Sequence, residues 1–365
     1  ASTTDDDVAG FTIAETNGST SVGESGNTDT FTVVLDVQPD SDVVLTISSA
    51  DTGEATVTSS LTFTSANWDT AQTVTVTGVD DDLVDGTITS TITVSVNDGS
   101  SDDNFDSVSD QTVSVTTTDD DVAGFTIAET GGSTSVAESG TTDTFTVILD
   151  AQPSSDVVLS ISSADAGEAT VTSSLTFTSA NWDTAQTVTV TGIDDDIIDG
   201  TQTTTITIAV IDAISDNAFD SVSNQTVSVA TTDDDVAGFT IAESGGSTSV
   251  DESGTTDSFT IVLDTQPSSD VVLSISSADT GEATVTSLLT FTSANWDTAQ
   301  TVTVTGVDDD IIDGTQTTTV SVTVVDSISD DNFDSVSDQA VSVATTDDDV
   351  AGFTSGVTVG STTRA

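Results

Sequence analysis

The sequence predicts an all-β protein: a tandem array of three seven-stranded antiparallel, Ig-like sandwiches in an elongated rod. Three observations lead there. The string DDDVAGFT begins at Asp5 and returns at Asp119, Asp233 and Asp347, a period of 114 residues, which is the size of a domain rather than of a solenoid turn. Apolar residues alternate with Thr, Ser and Asp, the period-two pattern of half-buried strands. Strong helix formers are scarce, with a single Arg, no Lys and no Met in 365 residues, whereas Thr and Val favour the pleated sheet through β-branching.

The period divides the chain into units at 8–121, 122–235 and 236–349. Residues 1–7 read as the end of a preceding repeat or an N-terminal joint. Residues 350–365 read as the truncated start of a fourth repeat or a C-terminal tail, because the pattern departs after Thr354. Within the first unit, strands are expected at Phe11 to Ala14, Phe31 to Leu35, Val43 to Ile47, Ser60 to Phe63, Thr73 to Val79, Thr91 to Val96 and Thr112 to Val115. Turns rich in Gly, Asn, Asp and Ser separate them, as in an antiparallel sandwich. In the tail, Val357 to Val359 offers a short strand that could pair with the sheet edge of another copy.

Charge narrows the chemistry. The chain carries 63 acidic side chains against one basic one, Arg364, with no His and no Cys, for a formal charge of −62. Nucleic acid needs a basic footprint, and an anionic membrane surface repels such a chain. Without His or Cys there is no imidazole base, no thiol nucleophile, no disulfide and no zinc or copper site of the usual kind. Hydrophobic residues at 34% suffice for several small cores, and no apolar run is long enough to span a bilayer. Ala1 to Thr4 show no secretion-signal pattern.

The acids bunch at strand ends. In the first unit they form GVDDDLVDG, with Asp80, Asp81, Asp82 and Asp85, and TTTDDD, with Asp119 to Asp121. The same groups return as Asp194 to Asp196 with Asp199 and Asp233 to Asp235, then as Asp308 to Asp310 with Asp313 and Asp347 to Asp349. Carboxylates about 5 Å apart repel by roughly 3 kcal/mol per pair at an effective dielectric near 20. Several such pairs in every unit rival a domain's whole stability margin. The chain has no Lys to offset them, so the counter-charge is expected from solution. Calcium suits clustered carboxylates, since it accepts six to eight oxygens at flexible geometry, whereas magnesium keeps its own waters. The competing reading is an acidic surface tuned for solubility or salt. That reading calls for acids scattered over strand faces, which here are mostly Thr and Ser.

LTFTSANWDTAQTVTVTGVDDDLVDG, an alternating strand, and the closing QTVSVTTTDDD together resemble the Calx-β domain of sodium-calcium exchangers, integrins and large bacterial surface proteins. The resemblance spans nearly all of every repeat. It implies seven-stranded sandwiches with several calcium ions each, bound at the end beside the linker to the next domain. The ligands it implies are Glu24, Asp51, Asp80, Asp81, Asp85, Asp119, Asp120 and Asp121 in the first unit. In the second they are Glu138, Asp165, Asp194, Asp195, Asp199, Asp233, Asp234 and Asp235. In the third they are Glu252, Asp279, Asp308, Asp309, Asp313, Asp347, Asp348 and Asp349. Two departures stand out: the acid after the Asp pair, often Glu in that family, is Asp here, and the stretch around Asp51 and Glu54 matches loosely.

Only VAG separates each DDD from the Phe that opens the next unit. A linker so short and charged is a self-repelling hinge without cations and a clamped joint with them. Trp68, Trp182 and Trp296, one per unit in SANWDTAQ, are expected to pack on a sheet edge, with sugar stacking as the alternative. Asn17 and Asn224 head glycosylation sequons that do not recur in all units. Triads of adjacent Asp repeated three times fit chelation better than a glycosidase pair, so no enzyme is expected. The expectation is a secreted or cell-surface structural rod or filament, stiffened by calcium at each joint. Its partners are neighbouring copies head-to-tail or further repeats of a longer chain. The alternative is an adhesin module that binds surface glycans or proteins through loops or the Trp edge.

Overall fold

A computed structural model describes residues 6–353; the strand expected at 357–359 lies outside them. The chain folds into three β-sandwiches. The first contains β1 (Phe11–Glu15), β2 (Thr20–Gly23), β3 (Thr28–Leu35), β4 (Val43–Ser49), β5 (Ala55–Val57), β6 (Ser60–Phe63), β7 (Gln72–Gly78), β8 (Ile88–Val96) and β9 (Gln111–Thr118). The other two repeat this series at the same period, from Phe125 to Thr232 and from Phe239 to Thr346.

All seven runs expected from the alternation are strands. Two short ones join them, β2 and β5, so each sandwich has a four-stranded sheet β1-β3-β7-β5 facing a five-stranded sheet β2-β9-β8-β4-β6. Neither addition carries an alternation of large apolar residues: β5 (ATV) is three residues, and β2 (TSVG) has Val22 as its only large apolar residue, unlike β6 (SLTF) with Leu61 and Phe63. The pairing is antiparallel except for β2, which runs parallel to β9 with Thr20 opposite Val115 and Gly23 opposite Thr118.

Alternation sends one face of each sheet inward. Phe31, Val33 and Leu35 of β3 meet Val74 and Val76 of β7, and these face Val43, Leu45, Ile47, Phe63, Ile92, Val94, Val113 and Val115 of the second sheet, all nearly or fully buried. Phe105, in a 3-10 turn at Asp103–Phe105, closes one end. Outward, Thr28, Thr30 and Thr32 pair across the ladder with Thr77, Thr75 and Thr73. These polar β-branched pairs each add a few tenths of a kcal/mol up to about 1 kcal/mol. Trp68, Trp182 and Trp296 are half-buried and pack against their own cores, while the Trp68 carbonyl accepts the Leu35 N–H at 3.1 Å.

Successive sandwiches also touch directly. The Leu83 backbone forms a bridge with Gln152, and Ile197 forms the same bridge with Gln266. Gln152 N–H donates to Asp82 O at 2.6 Å, Val84 N–H donates to Gln152 O at 3.1 Å, and Gln266 N–H donates to Asp196 O at 2.7 Å. Val84 packs against the second unit's core. Beyond the DDD run, Gly124 O accepts from Asp150 N–H at 3.0 Å, with Asp150 Oδ2 only 2.4 Å from where a Cβ at Gly124 would sit. The joint is therefore pinned by backbone and apolar contacts as well as bordered by acids.

Each unit has its own core, so Phe177→Ala, at a fully buried position, should cost that unit about 3–5 kcal/mol. In urea it should produce a separate early transition for the second unit, with the other transitions at their wild-type midpoints.

Candidate metal centre

Strand ends set the site. Parallel pairing of β2 with β9 brings the residue after β2, Glu24, beside the residue after β9, Asp119, and Glu24 N–H donates to Thr118 O at 3.1 Å. The close crossing of β2 by β7 requires Gly78, where a Cβ would lie 2.0 Å from Gly23 O. Gly192 and Gly306 have the same constraint, at 2.1 and 2.2 Å. Glu54 precedes β5, and its carbonyl accepts from Val79 N–H at 2.9 Å, directly before Asp80 to Asp82. Four chain segments thus deliver carboxylates to one end of each sandwich.

The loops around them are ordered by their own acids. Asp119 Oδ2 accepts from Gly86 N–H at 2.7 Å and Asp85 N–H at 3.1 Å, and its Oδ1 accepts from Asp121 N–H at 2.7 Å. Asp233 and Asp347 hold Gly200 and Gly314 in the same way, each at 2.7 Å. Asp81 accepts from Leu83 N–H at 2.8 Å, as Asp195 does from Ile197 and Asp309 from Ile311. Asp51 accepts from Gly53 N–H at 3.0 Å.

Carboxylate oxygens of Glu24, Asp81 and Asp121 lie within 4.8 Å of one another, as do those of Glu24, Glu54 and Asp85. The second unit assembles Glu138, Asp195 and Asp235, and the third Glu252, Asp347 and Asp349. Glu24, Glu138 and Glu252 are each 1% exposed. The Oε2 atoms of these three, the Oε2 atoms of Glu54, Glu168 and Glu282, and the Oδ2 atoms of Asp121, Asp235 and Asp349 are buried without a hydrogen-bond partner. Among the described residues no cationic side chain exists to answer them.

Electrostatics follow from this. Burial first, and then the charges of Asp119, Asp233 and Asp347, raise the Glu24, Glu138 and Glu252 carboxyls from 4.5 to about 7. Asp235 rises to about 6 through burial and then Asp233. Burial chiefly also raises Glu54, Glu168, Glu282, Asp85, Asp121 and Asp349. Asp102 provides the contrast. It is buried too, yet accepts from Asp40, Ser41 and Asn104 N–H groups at 2.6, 2.9 and 3.0 Å, and bonds led by Asn104 lower its pKa. A buried carboxylate that the fold supplies with donors is stable as an anion, and Glu24 has no such supply.

Of the residues expected from the sequence, Glu24, Asp81, Asp85 and Asp121 come together in the first unit, with Asp119 ordering their loop. Asp51, Asp80, Asp119 and Asp120 stand outside the tight groups, as do Asp165, Asp194, Asp199, Asp233 and Asp234 in the second unit and Asp279, Asp308, Asp309, Asp313 and Asp348 in the third. Glu54, absent from the expected set, is central, and Glu168 and Glu282 occupy the same place. Their signal was residue type: Glu occurs at only three positions per unit, 15, 24 and 54 in the first, in a chain whose other acids are all Asp.

No family model and no curated protein matches the chain. Among solved structures, similarity is found to CBD12 from CALX1.2, at 15% identity over 54% of this chain and 79% of that one, with a TM-score of 0.23. Domains 4 and 5 of the S-layer protein SbsC match at 18% identity over 61% of this chain and 97% of theirs, with a TM-score of 0.26. An endo-fucoidan hydrolase of glycoside hydrolase family 107 matches at 11% identity over 94% of this chain and 45% of that one, with a TM-score of 0.25. Likeness at this level decides neither ligand nor activity; the case for the site is its own carboxylates.

A carboxyl raised in the folded state binds more protons there than in the unfolded chain, so stability falls as pH rises from 4.5 through about 7. Asp102, Asp216 and Asp330, which are lowered, act below their ordinary 3.8 and leave this window untouched. The cation-depleted protein should therefore melt at a higher temperature at pH 5 than at pH 8, as measured by calorimetry.

Proposed function

We propose that this chain is a calcium-binding structural repeat protein built of Calx-β-like sandwiches, forming a stiff extracellular or cell-surface rod whose joints calcium rigidifies. The observation that carries the reading is the threefold recurrence of a buried Glu with an orphaned oxygen, set among further partnerless carboxylates, with no cationic side chain among the described residues. All the donors are hard oxygens drawn from separate chain segments, which fits calcium and leaves nothing for softer metals. Glu24, Glu54, Asp81, Asp85 and Asp121 would hold the ion or ions in the first unit, with their counterparts in the others. A bound cation supplies positive charge there, neutralising the carboxylates and tying the β2, β7 and β9 ends together.

Stiffening follows from position. The Asp80–Gly86 loop contributes carboxylates to the site and, through Asp82, Leu83 and Val84, also touches the next sandwich. Ordering that loop orders the joint. A surface location is part of this proposal and is compatible with a strongly acidic chain of Thr-rich sandwiches; no helix of the described residues is long and apolar enough to cross a membrane. The glycan-binding alternative draws nothing from the Trp residues, whose rings pack against their cores.

Calcium at 100 times its dissociation constant should stabilise each site by about 2.7 kcal/mol, raising the melting temperature, and scattering should show a larger maximum dimension with calcium than with chelator. The triple variant Glu24→Gln, Glu138→Gln, Glu252→Gln should reverse the balance. It should melt higher than wild type in chelator at pH 8 and gain little from calcium. Equal melting and equal dimensions with and without calcium would refute the reading.

A further inference from the structure

The two internal joints share one backbone bridge, and among the described residues each half of that joint also occurs open. The loop half is the apolar pair after the Asp triplet: Leu83 and Val84, Ile197 and Ile198, Ile311 and Ile312. The receiving half is the turn after β3: Val37-Gln38-Pro39, Ala151-Gln152-Pro153 and Thr265-Gln266-Pro267. Where the halves meet, Ala151 is 1% and Thr265 3% exposed, Gln152 and Gln266 are half-buried, and Asn332 Nδ2 donates to Ile198 O at 3.4 Å. In the first unit the same turn is open: Gln38 is exposed, Val37 is half-buried, and Val37, Gln38, Pro39, Asn104 and Phe105 line a cavity of about 280 Å³. In the third unit the same loop is open, with Ile311 60% and Ile312 58% exposed.

We propose that a second copy of this chain docks end to end, seating Ile311 and Ile312 of one copy on the Val37-Gln38-Pro39 groove of the next. The internal interfaces show the same backbone bridge twice, with Val84 packed on the next core at the first joint and Ile197 still 37% exposed at the second. Chemistry favours the pairing, because the third loop carries two isoleucines, as the second does, and the groove presents Val37 where the internal joints have Ala and Thr. Charge opposes it. Asp7 and Asp40 border the groove, and Asp308 to Asp310 precede the two isoleucines. Association should therefore strengthen as salt screens these carboxylates, and strengthen further if calcium neutralises them. The clasp consists of backbone bonds and apolar contacts, so it does not rest on the calcium reading. Lacking the linker that tethers the internal joints, it is weaker than they are.

The chain contains no Cys, which permits a direct test on the 365-residue chain. Ile311→Cys with Gln38→Cys places thiols at the counterpart of the Ile197 and Gln266 bridge. Under mild oxidation it should give a ladder of disulfide-linked dimers, trimers and longer species. Each single variant should stop at dimers. Ile197→Cys with Gln266→Cys is the control and should close within one chain. Sedimentation of the otherwise wild-type protein should show mass rising with concentration, and Ile311→Asp with Ile312→Asp, at exposed positions, should weaken association at least about tenfold. Each arm is run in calcium and in chelator. A ladder in either condition supports the proposal. Three results would each overturn it: no ladder in both conditions while the control closes, a disulfide formed within one monomer, or an Ile311→Cys thiol shielded from alkylation in the monomer by another part of the chain. The calcium-dependent melting shift would be unaffected.

Discussion

Buried like charge is the constraint on which the rest of this structure depends. Glu24 and Asp121 bring partnerless oxygens within 4.8 Å of one another in a chain with one Arg and no Lys. Such a group is tolerated either protonated or beside a cation from solution. The fold is organised to create this situation: parallel β2, the absent side chain at Gly78 and the Asp119 bonds to the Asp85–Gly86 backbone all serve to converge the acids. Asp102, buried near the start of β4 and given three backbone donors, shows that the same fold readily stabilises an anion when it provides for one.

The same loop links chemistry to architecture. Asp81 and Asp85 face the acidic cluster, while Asp82, Leu83 and Val84 between them touch the next sandwich. A change in charge state at the cluster is thus felt at the joint without any long-range pathway. Each unit has its own core, so under the proposed reading the sandwiches would stay intact while the joint alone changed in stiffness.

Much of this was legible in the sequence, and what was not has physical reasons. Period-two alternation located seven strands because each spans enough residues to show a buried face. Strand β5 is only three residues and β2, with Val22 alone, shows no apolar alternation, and the parallel course of β2 arises from tertiary pairing that no local pattern encodes. Repetition and clustering of acids pointed to the end of each sandwich where the partnerless carboxylates meet, but clustering favours runs of Asp over an isolated Glu. Glu54 was passed over, although its longer side chain is what reaches the buried centre. Asp80 and Asp120 sat in conspicuous triplets yet alternate away from the tight groups. Leu83 and Val84 were apolar residues in an acidic loop, a signal of burial against something outside their own unit.

The most direct test of the account is calorimetric titration of the cation-depleted chain with calcium at pH 7, repeated in buffers of different ionisation enthalpy. Burial and then neighbouring carboxylates raise Glu24, Glu138 and Glu252 to about 7, and a carboxyl must give up its proton to ligate a cation. The account therefore predicts saturable binding accompanied by proton release, seen as a heat that depends on the buffer. Absence of saturable heat, or binding whose heat is the same in every buffer, would contradict it.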